Sequence, residues 1–387
     1  MRNGSPGFRS ERLKSAREAR CLSGQALADL VGVTRSAISQ YERGEQTPSP
    51  MVLARIAEVL NLSVSYFMAD MPSVAATVFY RSFASALAKY RLRAERRLEW
   101  LMAITEELQK FIDFPDVAIP QFDLNSEIVD LNDEEIEEVA GKTRKHWGLA
   151  DGPISDITRL AENQGVVVAR HFFDTDRLDA FSYWSNQCSN PFVVLSNDKN
   201  CAARSRFDLA HELGHLILHR NIKGYSLSRN ADFKLIERQA NRFAGALLLP
   251  ANSFLREVHS LTLDCFVSLK RRWKVSVALM IKRCEDLGVL DDERGQRLWI
   301  NLGRRGWRKS EPLDDEIEVE QPNYIARCFE VLRDNDANGF KAFIETFPWS
   351  ASEIEAIAGL PEGMLTPKTM SDESPEPRII RFPSAVY

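Results

Sequence analysis

Apolar residues recur along this chain at two different spacings, and these predict where helices and strands lie. Spacings of three and four residues run through 9–70 and 77–113 and predict helices. Residues 123–302 mix helical and strand signals. Within them, the runs from Gly165 to Ala169 and from Pro191 to Leu195 are short, apolar and bounded by turn residues, so they predict two strands. The pattern therefore indicates a multidomain α+β protein with a small sheet.

Changes in this pattern divide the chain into five segments. We expect an all-α bundle first, then a helical linker, a mixed domain, a helical C-terminal region and a disordered tail rich in Pro, Ser and Glu. Their predicted limits are 9–70, 71–125, 126–302, 303–367 and 368–387.

The first segment has the pattern of a helix-turn-helix unit. Leu27 lies on the apolar face of one short helix, Gly32 begins a turn, and a second short helix is predicted from Arg35 to Glu42. Ser10 and Ser23 are predicted as helix N-caps. The second helix of such a unit can enter the major groove of B-DNA.

This segment resembles the XRE/Cro-like repressor DNA-binding domain. The residues that carry the resemblance are Leu22-Ser23, Leu27-Ala28, the run from Gly32 to Gly44, and Pro48. The resemblance implies that a homodimer binds a double-stranded DNA operator. It also implies which side chains face the DNA: Arg35, Ser36, Ser39 and Gln40.

Among these, Arg35 is the expected base reader, because a guanidinium can bind guanine O6 and N7 together. Thr34 and Arg43 are expected to contact phosphates. Many such domains carry Gln where this chain has Gly24, so one common polar contact is absent. The alternative is a helical bundle used only for dimerisation, since residues 1–70 hold nine Lys/Arg against seven Asp/Glu.

A metal-binding pattern lies in the mixed domain, where His211-Glu212-Leu213-Gly214-His215 sits inside an apolar helical run. Residues four apart share a helix face, so both histidines can bind one metal ion. Glu212 lies about 100° further round the helix, where it can take a proton from an attacking water. Catalytic zinc usually has three protein ligands, so a third is needed.

The third ligand is expected from the predicted helix 235–244. Glu237 and Asn241 are four residues apart on it and share a face. Glu237 would be the ligand, and Asn241 could hydrogen-bond the far nitrogen of a ligand imidazole. His219 lies about 12 Å from His211 along the helix axis, so we expect it at the helix end or beside a ligand.

Two alternatives to a catalytic site remain. His211 and His215 could be ordinary helix histidines, with Glu237 in a salt bridge, or the site could bind metal without turnover. Glu212 argues against the second alternative, because a purely structural site has no use for a carboxylate there.

The mixed domain resembles the ImmA/IrrE-type metallopeptidases over about 135–290. The segments that carry the resemblance are Asp179 to Ser182, Phe192 to Ser196, Arg206 to His219, and Glu237 to Ala244. The resemblance implies a gluzincin-like fold, Zn²⁺ held by His211, His215 and Glu237, and Glu212 as general base. It also implies cleavage of a repressor protein, and many such peptidases carry an XRE-type domain in front.

Composition narrows the class of protein. The chain has 387 residues and a net charge of −5, so the whole molecule is not a basic nucleic-acid coat. Six scattered cysteines without a C-x-x-C pair suit a reducing cytosol. The N-terminus shows no apolar segment typical of a signal peptide, and no apolar run approaches the ~18 residues of a membrane span. A cytoplasmic protein is expected.

The basic residues 270–274 are interpreted as a solvated face, with nucleic-acid contact as the alternative.

Together these features predict a DNA-binding transcriptional regulator with a zinc-dependent endopeptidase. Its substrate would be a repressor, or its own segment around 71–125. The alternative is a non-catalytic XRE-type repressor or antitoxin whose metal site is structural or sensory.

Overall fold

The structure, a computed structural model, describes residues 4–69, 88–122, 131–175, 177–184, 189–220, 222 and 230–365. The predicted tail 368–387, and residues 71–87 and 123–125 of the predicted linker, lie outside the described residues.

The described residues form sixteen α-helices, one 3-10 helix at Val64–Phe67 and three strands. The helices are α1 Ser10–Ala19, α2 Gly24–Val31, α3 Arg35–Glu42, α4 Pro50–Leu60, α5 Ala88–Gln109, α6 Asp133–His146, α7 Ile157–Asn163, α8 Ala202–Leu218, α9 Asn230–Leu248, α10 Ala251–Glu257, α11 Leu263–Trp273, α12 Val277–Asp286, α13 Asp292–Arg304, α14 Tyr324–Asn335, α15 Ala337–Thr346 and α16 Ala351–Ala358. The strands are β1 Val167–His171, β2 Ala180–Tyr183 and β3 Phe192–Ser196. This is the multidomain α+β class that the sequence predicts.

Helices α2 and α3 begin where the turn chemistry places them. Ser23 and Thr34 accept hydrogen bonds from the backbone N–H groups of residues three further along, at 3.0 and 3.1 Å. Gly32, with φ 78°, ends α2 in the left-handed region that favours glycine. The prediction for Ser10 was wrong: Arg9 is the N-cap of α1, and its side chain makes no capping bond.

The sheet has the order β1-β3-β2, with β1 parallel and β2 antiparallel to β3. The sequence predicted β1 and β3 but not β2, which is only four residues long. Both faces of the sheet are buried. On β3, Val193 and Leu195 face one apolar core, while Phe192 and Val194 face another.

These two cores lie on opposite sides of the sheet. One contains α6 to α13, including the helix that carries His211 and His215. The other joins the helix-turn-helix bundle to α5, to the C-terminal helices α14 to α16 and to the outer sheet face. The N-terminal bundle therefore shares its core with the end of the described chain.

Polar contacts reinforce this shared core. Arg20, the C-cap of α1, forms an ion pair with Glu353 of α16 at 2.8 Å. Ser63 donates from its backbone N–H and from its hydroxyl to the carbonyl oxygen of Pro348. Glu18 pairs with Arg96 of α5 at 2.9 Å. The bundle is therefore fixed against both α5 and α16.

The segment before α14 ties the C-terminal region to the other core. Glu320 forms a buried ion pair with Arg206 of α8 and accepts hydrogen bonds from the first N–H groups of α7. Its backbone oxygen accepts two bonds from Arg170 of β1. Arg206, just before the histidine motif, is therefore a structural residue.

Among the described residues, no helix is long and apolar enough to cross a membrane.

Trp349 gives a test of the shared core. It is 6% exposed and contacts Tyr66, Trp100 and Phe347, with ring centroids 5.7 to 6.3 Å apart. We expect Trp349→Ala to lower the free energy of unfolding by about 3–5 kcal/mol. Denaturant unfolding followed by circular dichroism measures this loss. Val331→Ala, at an exposed position on α14, is the control and should change stability by less than about 0.5 kcal/mol. Equal effects of the two variants would contradict a shared core.

Candidate metal centre and helix-turn-helix surface

Two histidines of α8 present nitrogen atoms to the same point. The Nε2 atoms of His211 and His215 lie 2.9 Å apart. The other ring nitrogen of each is engaged: Nδ1 of His211 contacts Oδ1 of Asn241 at 2.9 Å, and Nδ1 of His215 contacts Nδ1 of His219 at 2.9 Å. Because an amide oxygen only accepts, Nδ1 of His211 is the donor, and its Nε2 keeps a free lone pair.

Helix α9 brings a carboxylate to this point. Glu237 lies 3.6 Å from Nε2 of His211 and 3.3 Å from Nε2 of His215. One ligand atom from each of the three side chains lies within 4.8 Å of the others. Two imidazoles and one carboxylate form a donor set that suits Zn²⁺ and leaves a coordination position for water or substrate. The three predicted ligands are therefore brought together.

His219 lies beside the site, at the C-cap of α8. Its Nε2 is 3.0 Å from Oε1 of Gln239, so Nε2–H donates and Nδ1 is left to accept from His215. This relay orients the His215 ring with Nε2 toward Glu237. The position agrees with the expectation that His219 supports a ligand. Gln239 was not predicted, because its contact joins residues on two different helices.

The carboxylate of Glu212 is held on the neighbouring side of α8. Glu212 is 3% exposed, and the hydroxyl of Ser182 on β2 donates to its Oε2 at 2.6 Å. Burial raises the pKa of Glu212 to about 8. Ser182 was not singled out from the sequence, although it ends the Asp179–Ser182 motif. The next residue, Tyr183, is buried in the core on the opposite face of the sheet.

Burial has the opposite effect on the imidazoles. It lowers the pKa of both His211 and His215 to about 4. The charged form is disfavoured because the rings are removed from water. Both rings are therefore neutral near pH 7, which is the form that binds a metal ion.

The close packing of α8 against α9 brings these groups together. A Cβ atom on Gly214 would lie 3.1 Å from Cδ1 of Phe243 and 3.4 Å from the backbone of Ala240. Glycine at this position lets the two helices approach within reach of one metal ion. This explains the glycine in the histidine motif.

The expected DNA-facing residues lie on or next to α3. Thr34, Arg35, Ser36 and Arg43 are exposed, whereas Ser39 and Gln40 are half-buried. Thr34 also caps α3, and Arg43 forms an ion pair with Glu45 at 3.1 Å. On the inner side, Glu42 pairs with Arg17 of α1, which fixes α3 to the bundle. The outward face of α3 is therefore open to a macromolecule.

The basic residues 270–274 do not form such a surface. Lys270 is fully buried and pairs with Glu311 and Asp314 at 2.8 and 2.6 Å. Arg271 and Arg272 pair with glutamates, and Nζ of Lys274 donates to a backbone oxygen. The interpretation as a solvated face is therefore wrong for Lys270, because its ammonium is buried against Glu311 and Asp314.

The contact between His211 and Asn241 provides a test. Asn241→Ala should weaken zinc binding by about tenfold or more, because the His211 ring loses its orienting acceptor. Asn241→Asp is the matched control and should keep wild-type affinity, since a carboxylate also accepts from Nδ1–H. Competition with a chromophoric zinc chelator measures both. Unchanged affinity in Asn241→Ala would contradict this role.

Comparison with known proteins agrees with both parts of the structure. Residues 161–285 match the model of a peptidase family described as the IrrE N-terminal-like domain. Residues 13–67 match a helix-turn-helix family model.

Two proteins of Bacillus subtilis (strain 168) are similar over a short stretch. One, named an uncharacterized HTH-type transcriptional regulator, YqaE, is 37% identical over 59 residues, which is 15% of this chain and 51% of that protein. The other, YonR, named an SPbeta prophage-derived regulator of the same type, is 33% identical over 58 residues, 15% of this chain and 54% of that protein. The chain thus spans about half the length of these relatives. Two separate parts of the chain match a helix-turn-helix model and an IrrE N-terminal-like model, and both predicted resemblances are confirmed.

Proposed function

We propose that this chain is a DNA-binding transcriptional regulator carrying a zinc-dependent endopeptidase, which cleaves a repressor protein and so relieves repression. The observation that supports it best is the convergence of His211, His215 and Glu237, with Glu212 held beside them. In this proposal, the three converging residues hold Zn²⁺ and Glu212 is the general base.

The chemistry at the site divides between the ion and the chain. When bound, Zn²⁺ supplies Lewis acidity that polarises a water molecule and the scissile carbonyl. Glu212 takes a proton from the attacking water and returns it to the leaving amine. Burial that raises its pKa to about 8 favours acceptance of that proton, and a nearby cation lowers this pKa again. Ser182 keeps one carboxylate oxygen in place through its hydroxyl.

The helix-turn-helix domain would deliver the peptidase to DNA. We propose that a dimer docks α3 in the major groove of an operator, with Arg35 as the main base reader. Thr34, Ser36, Ser39, Gln40 and Arg43 would supply the remaining contacts. The match to a helix-turn-helix family model and the open face of α3 support this part of the proposal.

The packing of α5 favours cleavage of another protein over cleavage of the chain itself. Metallopeptidases bind their substrates in an extended form, whereas residues 88–109 form a helix. Leu98, Leu101, Ile104 and Leu108 of this helix are buried in a core. Cleavage within α5 would require this packing to be lost first. Within the predicted linker, α5 is therefore a poor target, and a repressor bound nearby is the better candidate.

Glu212→Gln tests whether the site is catalytic. The variant should still bind about one zinc ion per chain but should lose cleavage by a factor of about 10²–10⁴ or more, because the amide cannot take the proton. The assay incubates zinc-loaded protein with each repressor encoded beside this gene and detects fragments by mass spectrometry.

Glu138→Gln, an exposed glutamate on α6, is the control and should cleave like the wild type. If Glu212→Gln cleaves normally, the assigned base is wrong. If no candidate is cleaved and Glu212→Gln regulates transcription like the wild type, the protein is the non-catalytic repressor or antitoxin with a structural or sensory metal site.

Arg35→Ala tests the DNA-facing helix. Sequences selected from random duplexes by the wild type should bind the variant about 1–3 kcal/mol more weakly, because a bidentate contact to guanine is lost. Arg55→Ala, an exposed arginine on α4 outside the proposed interface, is the matched control. Fluorescence anisotropy at fixed salt measures both. Equal losses for the two variants would mean that Arg35 does not read a base.

A further inference from the structure

A cleft of about 880 Å³ is lined in part by residues of α8 that precede the histidine motif. One wall comes from the N-terminal half of α8, with Arg204, Phe207 and Asp208. Residues four and seven apart share a helix face, so Arg204 and Phe207 lie on the face that carries His211. The ring centroids of Phe207 and His211 are 6.3 Å apart. The ring of Phe207 therefore lies between this cleft and the candidate metal ligand His211.

The opposite wall comes from a different part of the chain. Trp299 and Leu302 of α13, together with Trp307, supply apolar surface. These residues lie beyond 161–285, the part that matches the peptidase family model. The cleft therefore depends on residues outside the matched part as well as on residues within it. Both tryptophans are half-buried, so part of each indole is available to a ligand.

The charge of the cleft is not balanced. Asp179 is paired with both Lys199 and Arg204, at 2.8 and 2.7 Å, so one described carboxylate contacts two cations. Arg308 and Lys309 line the same cleft, are exposed, and form no ion pair with any residue that the structure describes.

Negative charge in the cleft is smaller. Glu311 and Asp314 share the buried ammonium of Lys270, which leaves one negative charge. Burial raises the pKa of Asp208 to about 7, so its carboxyl is only partly ionised at neutral pH. The cleft therefore combines aromatic walls with a net positive rim.

The geometry points to an acidic peptide segment of the substrate as the occupant of this cleft, with a large apolar or aromatic side chain between the two tryptophans. This inference rests on the proposed peptidase function. From Arg204 to His211, α8 rises about 10 Å. An extended peptide covers this distance with about three residues. The side chain in the cleft is therefore about three residues from the scissile bond, with carboxylates facing Arg308 and Lys309.

The test uses the zinc-loaded full chain with Glu212→Gln, so that peptides bind without being cut. Two fluorescein-labelled decapeptides of equal length serve as probes, one with the core Glu-Glu-Phe-Glu-Glu and one with the core Lys-Lys-Phe-Lys-Lys. Fluorescence anisotropy should give at least tenfold tighter binding of the acidic peptide. Adding Arg308→Glu and Lys309→Glu should abolish this preference, and Trp307→Ala should weaken binding at least fivefold.

Arg294→Glu with Arg297→Glu provides a matched control, because it makes the same change of charge on exposed residues of α13 that do not line the cleft. This control should keep the preference for the acidic peptide. Equal binding of the two peptides, or a preference that survives reversal at 308 and 309, overturns the inference.

A second measurement separates the inference from the proposed function. The zinc-loaded wild type is incubated with a proteome-derived peptide library, and cleavage sites are read by mass spectrometry. Cleavage sites with an apolar residue and Asp or Glu on one side of the cut support both the peptidase function and the proposed occupant of the cleft. Cleavage without this bias overturns the inference and leaves the peptidase in place. Binding of the acidic peptide without any cleavage supports the cleft as a peptide-binding site and contradicts the proposed peptidase function.

Discussion

The close approach of α8 and α9 is the constraint on which the rest of the site depends. Glu237 reaches the two imidazoles only because Gly214 offers no side chain between the helices. Glycine inside a helix costs roughly 1 kcal/mol relative to alanine. That cost is offset by packing of Phe243 and Ala240 against α8, both fully buried. A wider separation would leave three polar groups half-buried and too far apart to share an ion.

The three-stranded sheet carries this arrangement to the rest of the molecule. Ser182 points from β2 toward α8 and holds Glu212, whereas Phe181 and Tyr183 on the same strand enter the opposite core. That second core also contains the helix-turn-helix bundle and α16. His171 of β1 contacts the carbonyl oxygen of Ile357 at 2.6 Å, which joins α16 to the sheet. A strand only four residues long thus lies between the candidate site and the core of the bundle. A large movement of the bundle relative to the candidate site would expose buried apolar surface.

Local patterns in the sequence were enough to predict the elements that carry chemistry. The turn around Gly32 and the cap at Thr34 determine α3 from Arg35 to Glu42, because both signals act within a few residues. The histidine spacing predicts one helix face in the same way. The candidate ligand Glu237 on α9 was predicted from its spacing of four residues to Asn241 on a second predicted helix.

What could not be predicted depends on contacts between distant residues. Strand β2 has too few residues for a period to appear, and its partner β3 lies about ten residues further along the chain. The bonds from Ser182 to Glu212 and from His219 to Gln239 join different elements, so no local pattern marks them. The burial of Lys270 was missed for the same reason, because the two acids that pair with it, Glu311 and Asp314, lie 41 and 44 residues further along the chain.

The electrostatics of the site follow from burial rather than from any single charge. Desolvation disfavours protonated imidazoles and ionised carboxyls alike, so it lowers the pKa of His211 and His215 and raises that of Glu212. Three acceptors directed at one point repel each other unless a cation or a proton lies between them. Proton binding is disfavoured by burial of the histidines, whereas a divalent ion satisfies all three acceptors at once. Helix packing that places the three acceptors together, and burial that keeps both imidazoles unprotonated, therefore act in the same direction and favour binding of a metal ion next to Glu212.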